Sequence, residues 1–525
     1  MKKFLYIFAA VALVASGCSK DGVDSGPSEV VNLSELPHDM IVLGRQLENP
    51  YTVENITKAV ESLYPTKAGR VEIDPTDYYV RFLPADEEQY ERLSEAVGIR
   101  MLDHPMDYEI VCEGDYYQDP ELDSESITWQ YAVVSKDFEF PDDIRCERLQ
   151  NCYLSENDPA TKSSDIDWES VEREAFRLTG NASMLEGPAT KGGGTKPSGR
   201  IAIVDDRYPD EPVGVKGVRV SCNVFIRFAS AYTDENGNYE MSKTFSSSPR
   251  YRLVFKNKKG FAIGFNLIII PASISTLGKA SAEGCSVNIT TSDNSTMYAR
   301  CVVNNAAFDY WEACTSGTLK MKTPPSNLRF WLLHITSGSS SLMLQQGALI
   351  DNSLIGEYLG KFTWIVKLFL PDITIGIKEK NDYASIYADA LHECAHASHF
   401  VSVGTEWWDS LIKFTISSFV SSGGVTYGVG TEEDCGYGGV AEMWAYFVEN
   451  LLMRERYPDE TRYYGSGYWF SPQILTALEE RGLSMQKIFL ALTQDVQDVD
   501  ALRDKLIELY PEFKTIILQA FTRYV

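Results

Sequence analysis

His392-Glu393-Cys394-Ala395-His396, preceded by Asn381-Asp382-Tyr383-Ala384-Ser385-Ile386-Tyr387-Ala388-Asp389-Ala390-Leu391 and followed by Ala397-Ser398-His399-Phe400, decides how the C-terminal half of the chain is read. On a helix, H-E-x-x-H spacing places two imidazoles one turn apart on one face, about 6 Å between their Cβ atoms, where both reach one metal ion. The spacing fits zinc. Glu393 lies about 100° round the helix from His392, so it can take a proton from an activated water without being a ligand. The 525 residues hold only six histidines, and three of them fall between 392 and 399. No Pro or Gly interrupts 384 to 401, and Gly404 stands where a helix stop is expected. The competing reading is an ordinary amphipathic helix with histidines on its polar face. Upstream, Asp372-Ile373-Thr374-Ile375-Gly376-Ile377 alternates like a strand.

A catalytic zinc site takes three protein ligands and keeps a fourth position open. Glu442 is the leading candidate for the third, in Gly439-Val440-Ala441-Glu442-Met443-Trp444-Ala445-Tyr446-Phe447-Val448-Glu449, after a glycine-rich loop read from Gly423 to Gly439. Glu432, Glu433, Asp434, Glu449 and His399 are rivals, although His399 sits two turns from His392 and cannot easily share its metal. Glu442 also reads as a solvated carboxylate favoured at a helix start. Cys394 points away from the His392–His396 face and reads as a small buried residue. The stretch resembles the gluzincin metallopeptidases, in which a helix after H-E-x-x-H gives a glutamate to zinc. That resemblance implies His392, His396 and Glu442 as ligands of Zn2+ and Glu393 as general base. Tyr446 stands where the best-known gluzincins have an aspartate. Tyr427 or Tyr437 could donate to a developing oxyanion.

At the other end, Met1-Lys2-Lys3 and the apolar run from Phe4 to Val14 form an export signal too short to span a membrane. Ala15-Ser16-Gly17-Cys18 resembles the bacterial lipobox, which implies cleavage before Cys18 and its lipidation. The mature protein is then expected to be anchored through this lipid to the cell envelope, on the outer membrane, without spanning it. A net charge of −26, from 74 acidic against 48 basic residues, leaves no basic stripe and disfavours nucleic acid as a partner. Besides Cys18 there are nine cysteines without C-x-x-C pairs, so no disulfide framework can be read.

Between the ends, residues 18–45 read as a tether and 46–160 as an α+β domain. It has helices at Val53–Tyr64 and Glu87–Val97 and strands at Tyr78–Leu83, Tyr108–Val111 and Tyr131–Val134. Tyr79-Val80-Arg81-Phe82-Leu83-Pro84 and Gly114-Asp115-Tyr116-Tyr117 resemble an N-terminal domain of surface lipoproteins of gut Bacteroidota. Asp103, His104 and Asp107 read as loop residues. Residues 161–199, polar and with Gly192-Gly193-Gly194, read as a linker.

Residues 200–263 read as a β-sandwich, with Asn236-Gly237 as a hairpin signal. Thr233-Asp234-Glu235-Asn236 reads as a turn in preference to a calcium loop. The order resembles the carboxypeptidase-regulatory-like, transthyretin-type domain. Residues 264–525 read as one mostly helical, zincin-like domain, with His334 a strand or core residue. The expectation is thus a multidomain α+β chain: a zinc-dependent, lipid-anchored peptidase acting on peptide or protein substrates. The alternative is a zincin-fold surface lipoprotein that binds or scaffolds without turnover.

Overall fold

The computed structural model describes residues 40–66, 72–96, 98–123, 126–163, 165–185, 196–264, 274–292, 295–334, 337–348, 371–378, 382–422, 427–458 and 468–524. The expected signal segment, Cys18 and the tether as far as residue 39 lie outside these. No helix among the described residues is long and apolar enough to cross a membrane. The protein is mixed α+β, with antiparallel sheets in its N-terminal part and mostly helices in its C-terminal part.

The first sheet runs in the order 100–102, 130–135, 77–83, 145–152, antiparallel throughout. Period-two alternation sends Val80 and Phe82 to one face, where they pack with Leu93 of the helix Glu87–Glu95. In a separate cluster, Thr52 caps the helix Val53–Leu63, and Ile56, Ala59 and Val60 pack with Val171 and Ala175. Those last two belong to a helix, Trp168–Leu178, inside the stretch read as linker. Asp167 caps it, and Val171, Ala175 and Phe176 form an apolar stripe short enough to be masked by the surrounding polarity.

Two further sheets share one core, to which Ile201, Val220, Cys222 and Leu253 contribute fully buried side chains. One runs 227–232, 219–224, 250–254, 274–279; the other joins 238–240, 198–203 and 287–289, with 213–214 alongside 198–203. Asn236-Gly237 does make a tight turn, with Gly237 at φ +81°. It does not close a hairpin. The strand before it pairs with 219–224 and the strand after it with 198–203, so the turn carries the chain from one sheet to the other. Asp234 Oδ1 accepts from the amides of Asn236 and Asn238 at 2.9 and 2.8 Å, which commits this carboxylate to the turn.

The C-terminal part is built round a third helix–sheet layer. Strands 262–263, 329–333 and 373–376 are parallel, and Ser340–Ser341 runs antiparallel at the edge. Helix Ser295–Thr315 is buried nearly all round and packs against the motif helix, Tyr383–Val403. Tyr387 donates to Asp309 Oδ2 at 2.8 Å and Tyr310 to Ser398 Oγ at 3.1 Å. The motif helix starts because Asp382 accepts from the Ser385 amide at 2.9 Å, and it stops at Gly404, whose φ of +79° suits glycine.

The expected glycine-rich loop ends earlier than read, because helix Cys435–Arg456 already contains Gly436, Gly438 and Gly439. A Cβ on Gly438 would stand 2.5 Å from the Phe414 ring, and one on Gly439 2.9 Å from Trp469. These glycines are therefore contact positions of a packed helix. Shorter helices, 473–480, 485–491, 499–509 and 514–524, close the fold beneath it. Ahead of the first of them, the Ser471 hydroxyl donates to the Tyr524 carbonyl at 2.6 Å.

A seam separates residues before 185 from those after 196, and its ion pairs share one polarity. Glu156 meets Arg227 and Lys243, Glu172 meets Arg227, Glu113 meets Arg250, Glu95 meets Lys256, Asp115 meets Arg300 and Glu91 meets Arg329. In every case among the described residues the acid comes from the N-terminal side.

Candidate metal centre

The motif helix and the helix Cys435–Arg456 pack face to face, and between them His392, His396 and Glu442 converge. All three are buried, at 2%, 3% and 4% exposure. His392 Nε2 lies 3.3 Å from Glu442 Oε2, and His396 Nε2 lies 3.2 Å from Glu442 Oε1. Ligand atoms on a tetrahedral zinc, each about 2.0–2.1 Å from the ion, sit about 3.3–3.4 Å from one another. The two histidine–glutamate distances match that spacing, and all three ligand atoms lie within 4.8 Å of one another. Hydrogen bonding does not account for it fully: Glu442 Oε2 and His396 Nδ1 are buried and have no hydrogen-bond partner among the described residues. Buried polar atoms left this way are costly unless something else satisfies them. Two imidazole nitrogens and a carboxylate oxygen are a donor set that suits zinc. Burial alone raises the Glu442 carboxyl, but the two imidazoles outweigh it and hold it at about 2, so it is an anion ready to coordinate.

The remaining groups fall into place round these three. His392 Nδ1 donates to Glu449 Oε2 at 3.2 Å, and Glu449 is fully buried. Glu442 and Glu449 are two turns apart on one helix face, so His392 is held between two carboxylates, one at each ring nitrogen. Tyr446 lies on the turn between them and meets the His392 ring edge-on at 4.6 Å. Glu449, read as a rival ligand, thus reaches the other nitrogen of His392 and fixes its tautomer. Glu449→Ala is expected to weaken metal binding by about 10- to 100-fold, read by competition with a chromogenic chelator, with Glu449→Gln retaining part of it.

Glu393 is fully buried, and its Oε2 accepts from Ser341 Oγ at 2.8 Å. Ser341 comes from the edge strand, and its carbonyl accepts from the Trp408 indole at 3.1 Å. A cleft opens beside the group, with His396 and Glu442 at its base and Leu342, Trp408, Leu411 and Ile412 as apolar walls. Tyr427 lines the same cleft, whereas Tyr437 packs against Trp407.

The other rivals stand apart. Glu432 is engaged by the amides of Val429, Gly430 and Thr431 at 2.8, 3.0 and 3.0 Å, which lower its pKa. Glu433 and Asp434 are exposed. His399 packs against Trp407 and Trp408, with ring centroids 4.7 and 5.8 Å away, and burial pushes its pKa down to about 3. Cys394 is a buried thiol without a disulfide, and His334 borders the parallel sheet with Thr296 at 3.2 Å. Sequence reasoning missed Ser341 and the role of Glu449. The seven-residue spacing of Glu442 and Glu449 was the available signal for the latter; nothing local marks Ser341.

The buried His392–His396–Glu442 group in a helical C-terminal region is consistent with a zincin-like metal site. Comparisons of the chain with protein-family models, curated proteins and solved structures find no match.

Proposed function

We propose that the protein is a zinc-dependent peptidase held at the cell envelope by a lipid on Cys18. The observation that carries the reading is the meeting of His392, His396 and Glu442 beside a glutamate, Glu393, that belongs to the same helix but not to the ligand group. A zinc ion held by the three side chains supplies Lewis acidity toward a scissile carbonyl and makes water acidic enough to attack near neutral pH. Glu393 takes the proton from that water and passes it to the leaving amine. Ser341 orients the Glu393 carboxylate, and Glu449 keeps His392 in the tautomer whose Nε2 is a lone-pair donor. The edge position of Ser340–Ser341 supports an extended peptide as substrate, since an edge strand offers main-chain groups to a partner strand. The apolar walls of the cleft favour an apolar side chain next to the scissile bond.

Metal content tests this directly. Protein purified without chelator is expected to carry about one zinc per chain, and His396→Ala and Glu442→Ala are each expected to lose it. A wild type that stays metal-free when zinc is offered would falsify the reading. A second reading, a zincin-fold lipoprotein that binds or scaffolds without turnover, is favoured by one feature: Glu393 is fully buried with Ser341 already on its carboxylate. Zinc-loaded protein that cleaves nothing across a broad peptide library selects it.

A further inference from the structure

The seam between the N-terminal residues and the rest pairs acid with base almost everywhere, and the exception marks a cleft. Arg219 and Arg252 point from the same face of the sheet 227–232, 219–224, 250–254, 274–279, because Arg252 lies opposite Ser221 and Arg219 opposite Val254. Arg100, on the strand Arg100–Leu102, comes from the other side of the seam, and all three line one cleft with Tyr90 and Ser221. None of the three touches a carboxylate among the described residues. Arg100 donates only to the Ile99 carbonyl, at 2.9 Å. Arg219 Nε is buried with no hydrogen-bond partner. Arg252 is 4% exposed and is met only by Asn223 Oδ1 at 2.5 Å and by His104 Nε2 at 3.4 Å, the His104 Nδ1 lying 2.8 Å from Asp103. The acids that line the cleft, Glu91 and Glu95, are engaged by Arg329 and Lys256.

Cations therefore face cations across a boundary that elsewhere is complementary, in a chain with a net charge of −26. Burial pushes the Arg219 and Arg252 guanidiniums down, and a neighbouring arginine adds to it in each case, Arg100 for Arg219 and Arg250 for Arg252. Guanidiniums without a carboxylate beside them in a partly shielded cleft are unfavourable until an anion joins them, and the planar fork of arginine matches the oxygens of phosphate. Two or three positive charges suit a dianion better than a single carboxylate.

We propose that this cleft binds a phosphate dianion, free or as a monoester, held by Arg219 from one side of the seam and Arg100 from the other, with the buried charge of Arg252 behind them. The site is separate from the metal centre and does not depend on the peptidase reading. Calorimetry of the full chain in low-salt, phosphate-free buffer tests it, with inorganic phosphate and phenyl phosphate as ligands and acetate as control. Saturable binding of either phosphate, weakened about tenfold or more in Arg219→Gln and in Arg100→Gln, is the expected result. Arg100 is an exposed strand residue whose replacement leaves the core untouched, and Lys413→Gln, an exposed lysine elsewhere, should bind as wild type does. Binding by inorganic phosphate alone assigns a free ion; binding by phenyl phosphate as well assigns a monoester group. The proposal fails if neither phosphate binds, if both arginine variants bind unchanged, or if acetate binds as tightly as phosphate.

Discussion

Glu393→Gln is expected to lower peptide hydrolysis by about 10²- to 10⁴-fold while the zinc content stays at the wild-type level. The substitution is close to isosteric and sits in a fully buried position, where glutamine can still accept from Ser341 but cannot carry a proton from water to amine. The ligand group contains His392, His396 and Glu442 and leaves Glu393 out, so metal affinity has no reason to change. Kinetics on a quenched fluorescent peptide, run beside metal analysis of the same sample, check both halves. Full zinc-dependent activity in the variant would remove Glu393 from the mechanism. Loss of zinc would instead make it part of the ligand set.

Trp444→Ala is expected to cost about 3–5 kcal/mol of stability. The indole is fully buried, packs against Phe489 with ring centroids 5.3 Å apart, and donates to the Ala395 carbonyl at 3.1 Å. Ala395 lies between Glu393 and His396, so the same side chain that fills the gap between the two helices also ties the glutamate helix to the motif. Removing it leaves a cavity and loosens the spacing on which the ligand group depends. Urea denaturation followed by tryptophan fluorescence reads the loss, and zinc affinity is expected to fall with it. Leu490→Ala, at a residue 58% exposed, provides the contrast, with a change within about 0.5 kcal/mol.

Local features of the sequence were legible, and partnerships between distant segments were not. The motif helix could be read because its unbroken run, its stop at Gly404 and its two-histidine spacing all lie within one window, whereas the Asp382 cap came only with the structure. Glu442 could be read from its apolar-lined helix, although the helix begins before the glycines that seemed to delay it. Ser341 could not, since a serine 52 residues from Glu393 becomes its partner only through the antiparallel edge strand. Nor could the sheet switch at Asn236-Gly237: the dipeptide determines that the chain turns, while the pairing of the strands on either side determines where it goes. Helix Trp168–Leu178 went unread for a related reason, because its apolar stripe gains meaning from the helix Val53–Leu63 it packs on. The pairing of Glu449 with His392 Nδ1 lay in between, visible as a spacing on one helix but not as a bond across two.

The one-way polarity of the seam has a bearing on how the chain assembles. Ion pairs that all place the acid on one side and the base on the other favour one orientation, so the N-terminal part meets the rest of the chain as an oppositely charged partner would. Docking is then an encounter steered by long-range attraction, fast in dilute salt and slowed as ions screen it over about 8–10 Å. The acidic excess of the chain thereby does two jobs: it keeps separate molecules apart through mutual repulsion, and within one molecule it guides the two parts together.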